Sequence, residues 1–233
     1  MAILKLAAAV LLPAVFWIGY FHYKDRFRPE PPLNLVVTYL LGFASGLACF
    51  AFYGLLSRAG VAADFQALVV RTTPLEFFSY SVVFVGLIEE IFKFLPFILG
   101  VTRFKAFDEP IDGIVYAAAL AVGFAGFENV LYLRHLEGFA FWGRAVASPL
   151  THTVFSSIWG YAAARALLRE GSAVFASIAS VSLAGLAHGL FDYLTYSPKL
   201  RILSAFLILA IWAWGILKLE KKPEAAGRPP RPG

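Results

Sequence analysis

Cysteine, charge and the usual metalloprotease signature are what this sequence has least of. Cys49 is the one cysteine, which excludes an intrachain disulfide and any metal site built from several thiolates. No HExxH occurs anywhere, so the common helical zinc-protease pattern is absent. Charged residues make up 15% of the chain, against about 25% in soluble domains. The deficit is matched by 60% hydrophobic residues gathered in long blocks. That combination excludes an ordinary soluble domain and predicts an all-α polytopic membrane protein. The net charge of +5 does not call for nucleic acid, because membrane proteins collect Lys and Arg on cytoplasmic loops.

Run length, at about 20 residues per crossing, predicts seven spans. They are Ile3–Phe21, Leu33–Ser57, Pro74–Leu99, Pro110–Leu133, Pro149–Leu168, Ser172–Tyr196 and Pro198–Leu219. Thr73-Pro74, Glu109-Pro110, Ser148-Pro149 and Ser197-Pro198 each offer a cap followed by proline at the first helical position. Thr73 and Glu76 also have capping-box spacing. Phe139 to Ala147 is apolar enough for the fifth helix to begin earlier and bend at Pro149. Lys5 before an apolar run resembles a signal peptide. The run is long enough to span, however, and reads as an uncleaved anchor. Val61 to Val70 is too short and polar to cross and reads as an interfacial helix. Residues 1–220 form one domain, and 221–233 form a basic, disordered cytoplasmic tail. Lys and Arg number twelve on one side and seven on the other, which predicts a cell-membrane protein with its N-terminus outside and C-terminus inside.

The segment Gly86 to Pro96 breaks the apolar pattern. It sets Glu89, Glu90 and Lys93 inside a run of Val, Ile, Leu and Phe. Each charge at the bilayer centre costs about 2.5–3.5 kcal/mol on insertion scales. Three and four residues of separation put all three on one helix face. One lysine does not neutralise two glutamates, so a proton, a metal or another cation completes the balance. A purely structural ion pair is the bland alternative. Pro96 withdraws the N–H that would bond the Phe92 carbonyl, leaving it for Lys93 or a water.

Other spans carry Glu128 and Asn129, then His152 with Ser156 a turn later, then His188 and Asp192 four apart. Singly, each has a plain explanation: a snorkelling acid, an interhelical amide, a satisfied core histidine. Together they line up in depth. Adjacent spans run in opposite directions, so Glu128, His152, His188 and Asp192 fall in one leaflet, with Glu89 and Glu90 near the midplane. Under the predicted orientation this is a polar pocket opening outward.

Taken as a set, Glu89-Glu90-x-x-Lys93, Asp112-Gly113-x-x-Tyr116, Gly123-Phe124-x-x-x-Glu128-Asn129-x-x-Tyr132, His152 and His188-x-x-x-Asp192 resemble the PrsW family of intramembrane proteases. More distantly they are similar to the glutamate-dependent CAAX prenyl endopeptidases. The resemblance covers Leu87 to Asp192. It implies hydrolysis of a peptide bond in a single-span membrane protein, associated in the family with first-site cleavage of anti-sigma factors on the outer side. The chemistry needs an activated water, a stabilised oxyanion and a proton for the leaving amine. Glu89 is the expected base, with Glu90 beside it and Lys93 balancing charge. His152 or His188 stabilises the oxyanion or supplies the proton, Asp192 orients His188, and Glu128 and Asn129 position water or substrate. No cofactor is favoured. Zinc held by His152, His188, Asp192 and Glu89 is the competing version. A proton or ion pathway, or an inactive relative that only binds membrane proteins, are the other function classes. The lipid bilayer and a single-span substrate are the expected partners.

Overall fold

The computed structural model describes residues 2–26, 28–61, 73–169 and 172–219. The expected interfacial helix after Val61 and the basic tail lie outside these. The elements are α1 (Ala2–Lys24), α2 (Pro32–Arg58), α3 (Pro74–Tyr80), a π-helical stretch (Ser81–Leu87), α4 (Ile88–Leu99), α5 (Pro110–Tyr132), α6 (Gly138–Leu168), α7 (Ala173–Tyr196) and α8 (Arg201–Leu219). With Pro74–Leu99 taken as one rod, seven rods match the seven expected spans, and the described residues contain no strand. Among the described residues, Ile3–Lys24, Pro32–Arg58, Pro110–His135 and Ala173–Tyr196 are long and apolar enough to cross a membrane.

Helix α5 is the central post. In its most apolar window 83% of the residues are buried, against 28–33% for the other three long apolar helices. Its alanines and glycines permit this, because small residues let backbones approach closely. At the α5–α6 crossing, a Cβ on Gly113 would sit 2.1 Å from the Gly160 carbonyl oxygen. The Leu and Phe side chains of the outer helices that face away from this post are exposed, as a lipid-facing surface requires.

Starts and stops follow local chemistry. Thr73 Oγ1 accepts from the Glu76 N–H while Glu76 accepts from the Thr73 N–H, completing the capping box. At the head of α5, Asp112 accepts from the N–H groups of Asp108 and Glu109, both at 2.8 Å. Two of the four proline starts are corrected. Pro149 lies inside α6, which begins at Gly138, because the upstream run Phe139–Ala147 is itself helix-forming and buries Phe141 and Ala145 against Ala9 and Leu133. Pro198 precedes α8 rather than opening it. The Leu200 N–H bonds the Ser197 carbonyl in a turn, and the helix begins at Arg201.

The Pro110 end of α5 also carries a polar knot. Arg28 donates to Asp108 at 2.9 Å and to Glu109 at 2.6 Å. Tyr116 donates to Glu30, and Asn34 donates to the Tyr116 oxygen at 3.0 Å. This ties the α1–α2 loop to the start of the central helix.

Candidate active site

The site begins with winding. Ser81–Leu87 is π-helical, with an extra residue per turn, a form that is rare and concentrated at functional positions. Its backbone lies directly on α7. A Cβ on Gly86 would meet the Gly185 carbonyl oxygen at 2.1 Å, and one on Gly189 would meet the Ser81 carbonyl oxygen at 2.4 Å. Only glycine allows that approach, and it brings His188 of α7 alongside Glu89 and Glu90 at the start of α4. Tyr53 of α2 pins the same stretch, its hydroxyl donating to the Phe84 carbonyl at 2.7 Å. The Phe92 carbonyl freed by Pro96 is taken by Ser45, whose hydroxyl donates to it at 2.5 Å, rather than by Lys93.

Glu90 is fully buried and its carboxylate accepts from four directions. Lys93 Nζ (2.6 Å) and His188 Nδ1 (3.1 Å) meet Oε1, while Ser156 Oγ (3.0 Å) and Trp159 Nε1 (2.7 Å) meet Oε2. A buried carboxylate is tolerable when its oxygens are met this way. Lys93 is fully buried too, lying 4.6 Å from the centre of the Phe124 ring. Its ammonium also contacts His152 Nδ1 at 3.0 Å. An ammonium only donates, so Nδ1 accepts, and the ring carries its proton on Nε2. That Nε2–H donates to Glu128 Oε2 at 2.9 Å. A carboxylate only accepts, so the His188 Nδ1 facing Glu90 carries a proton, and its Nε2 lies 3.8 Å from Glu89 and 3.7 Å from Asp192. Glu90, closer than Asp192, is what sets the His188 tautomer. Phe155 stacks on the same ring at 4.9 Å.

Glu89 differs from its neighbour. Its Oε2 is buried, lies 3.9 Å from Lys93 Nζ and 4.0 Å from His152 Nδ1, and has no hydrogen-bond partner among the described residues. It borders a cavity of about 330 Å³ together with Glu128, Arg144, Ser148, His152, His188 and Asp192. Of the eight residues singled out from the sequence, Glu89, Glu128, His152, His188 and Asp192 line the cavity, and Glu90 and Lys93 sit behind them against His188 and His152. Asn129 is buried, does not line the cavity, and its amide has no partner among the described residues. Sequence reasoning passed over Trp159, Phe155 and Arg144. Ser156 and Trp159 follow His152 by four and seven residues, which is one helix face, so that spacing held the signal for Trp159.

Glu89, His152 and His188 each offer a ligand atom, and all three atoms lie within 4.8 Å of one another. The orphaned Glu89 oxygen and the His188 Nε2 beside it suit a divalent cation, and nitrogen and oxygen donors of this kind bind zinc once the imidazole nitrogen is unprotonated. His152 would first have to give up its contact with Lys93. The residues present therefore fit such an ion. Without one, the same atoms are arranged to hold and deprotonate a water.

The family model described as "PrsW family intramembrane metalloprotease" matches residues 30–216. Curated relatives named "Protease PrsW" match nearly end to end. The one from Geobacillus kaustophilus is 28% identical over 97% of this chain and 95% of its own length. That from Clostridioides difficile is 29% identical over 93% and 89%, and that from Bacillus subtilis 26% over 92% and 94%. No solved structure matches the chain.

Proposed function

The chain belongs to the PrsW family of intramembrane metalloproteases, and from that premise we propose that it hydrolyses a peptide bond of a membrane-anchored protein inside this cavity, with Glu89 as the base. The carrying observation is the buried Glu89 Oε2 that lacks a partner among the described residues while bordering the cavity. A water held there loses a proton to Glu89 as its oxygen adds to the scissile carbonyl carbon. The His152 Nε2–H, held in the neutral ring by Lys93 on the other nitrogen, exchanges its bond to Glu128 for the developing oxyanion. Glu89 then passes its proton to the departing amine as the C–N bond breaks, so one group serves as base and acid. Glu90 acts through others: it holds Lys93 and fixes His188. The chemistry supplied by a divalent cation bound by Glu89, His152 and His188 is polarisation of the carbonyl and a lower pKa for the water.

The substrate class implied by the resemblance is a single-span protein such as an anti-sigma factor, cut on the outer side. The arginine and lysine count supports an N-terminus outside and a cavity opening outward. The test is cleavage of a single-span substrate by purified, reconstituted protein. Glu89→Gln is expected to reduce turnover by at least about 10³-fold, within the range of a lost general base, with unchanged thermal unfolding. Retained turnover overturns the assignment. Metal analysis, with cleavage measured after chelation and after zinc is restored, decides whether the cation takes part.

A further inference from the structure

The cavity wall on α6 carries two donors that the chemistry above does not use. Arg144 Nε and Ser148 Oγ are buried, border the cavity, and have no hydrogen-bond partner among the described residues. Arg144 packs its guanidinium 4.2 Å from the centre of the Tyr132 ring, and its Nη2 approaches Glu128 only to 3.8 Å. Arg144, Ser148 and His152 are spaced four and four, so they form one stripe along a single helix face. The opposite side of the cavity is rich in acceptors: Glu89, Glu128 and Asp192.

A membrane-spanning substrate reaches a water only after its helix opens at the scissile bond. Opening frees backbone carbonyls, and in an apolar surrounding each unmet carbonyl costs several kcal/mol. The carbonyls need donors, and in this wall Arg144 Nε and Ser148 Oγ are donors with no hydrogen-bond partner among the described residues. We infer that Arg144 and Ser148 form a track that receives the carbonyl oxygens of the opened substrate, a role that rests on the hydrolytic reading above. Eight residues of helix carry Arg144 about 12 Å from His152 and Ser148 about 6 Å. An extended chain advances about 3.3 Å per residue. Ser148 therefore meets a carbonyl about two residues from the scissile bond, and Arg144 one about three to four residues away.

The test uses the full-length protein in proteoliposomes with a single-span substrate and a second substrate carrying a backbone ester three to four residues from the scissile bond, where the carbonyl is a weaker acceptor. Arg144→Gln is expected to raise KM about tenfold or more with kcat changed less than about threefold, the pattern of lost ground-state and transition-state binding together. Ser148→Ala should raise KM by about threefold. The ester should weaken wild type but have little further effect on Arg144→Gln, since the two changes remove one contact. Arg144→Lys keeps the charge, lacks the Nε–H, and should behave like Arg144→Gln. A fall in kcat at unchanged KM in both Arg144 variants assigns the residue to holding Glu128 and His152 and overturns the track. Unchanged kinetics with efficient wild-type cleavage overturns the track alone. No cleavage by wild type overturns the hydrolytic reading and the track with it.

Discussion

At the Pro110 end of α5, an arginine, a tyrosine, an asparagine and two backbone N–H groups are matched to Glu30, Asp108, Glu109 and Asp112. At the Tyr132 end the ingredients are similar, yet a carboxylate oxygen, two hydroxyls and a guanidinium N–H that have no hydrogen-bond partner among the described residues surround an open cavity. Both clusters sit on the same central helix, so the difference is not one of burial or scaffold. One end spends its polar groups on joining loops to helices. The other turns its polar groups toward an open cavity, at a cost in stability that the four-fold support of Glu90 and the glycine contacts offset.

Three changes sharpen or break that contrast. The largest effect is expected for Glu90→Gln, which strips the buried Lys93 ammonium of its nearest anion. Breaking a buried pair from one side costs about 3–5 kcal/mol, and cleavage should vanish with it. Thermal unfolding in detergent measures the first and the reconstituted assay the second. If Glu90→Gln unfolds like wild type while Glu89→Gln is destabilised, the division between supporting and reacting acid is reversed. Gly189→Ala comes next. Its Cβ would lie 2.4 Å from the Ser81 carbonyl oxygen and from Val82 Cα, so the two backbones must part. Overpacking of this kind costs about 1–3 kcal/mol, and cleavage should fall by about tenfold or more as His188 is displaced from Glu90. Arg28→Ala should have the smallest effect on function. Losing a charged hydrogen-bond partner costs about 1.5–3 kcal/mol, while kcat/KM per folded molecule stays within about twofold. A variant that folds normally but loses turnover would show that the Pro110 end also serves the reaction.

The rods were legible because run length and the capped prolines at 74 and 110 are local signals. The acids and imidazoles were legible because charge inside an apolar run is costly and therefore conspicuous. Pro149 and Pro198 misled, since a proline tolerated at a helix start is also tolerated where neighbours support a helix through it or where a turn precedes one. The misplaced start at Pro149 had a consequence for chemistry. A start at Pro149 leaves Arg144 outside the fifth span, whereas it lies inside α6 and borders the cavity. Trp159 reads as one more aromatic in an apolar helix, and only the fold brings its N–H to Glu90. The π winding was not legible. Ser-Val-Val-Phe-Val-Gly-Leu is an ordinary apolar string, and what selects its geometry is contact with Gly185 and Gly189, about a hundred residues later.

That winding has a bearing on how the protein tolerates change. Each residue of an α-helix advances the next by about 100°, so the wide turn over Ser81–Leu87 acts as a dial that sets the azimuth of everything after it. Rewinding the same seven residues as regular α-helix would leave the rod intact and as greasy as before, yet would swing both glutamates and the lysine away from the imidazoles by more than a quarter circle. The winding of these seven positions thus restrains the site more than their side-chain identity does, Gly86 excepted.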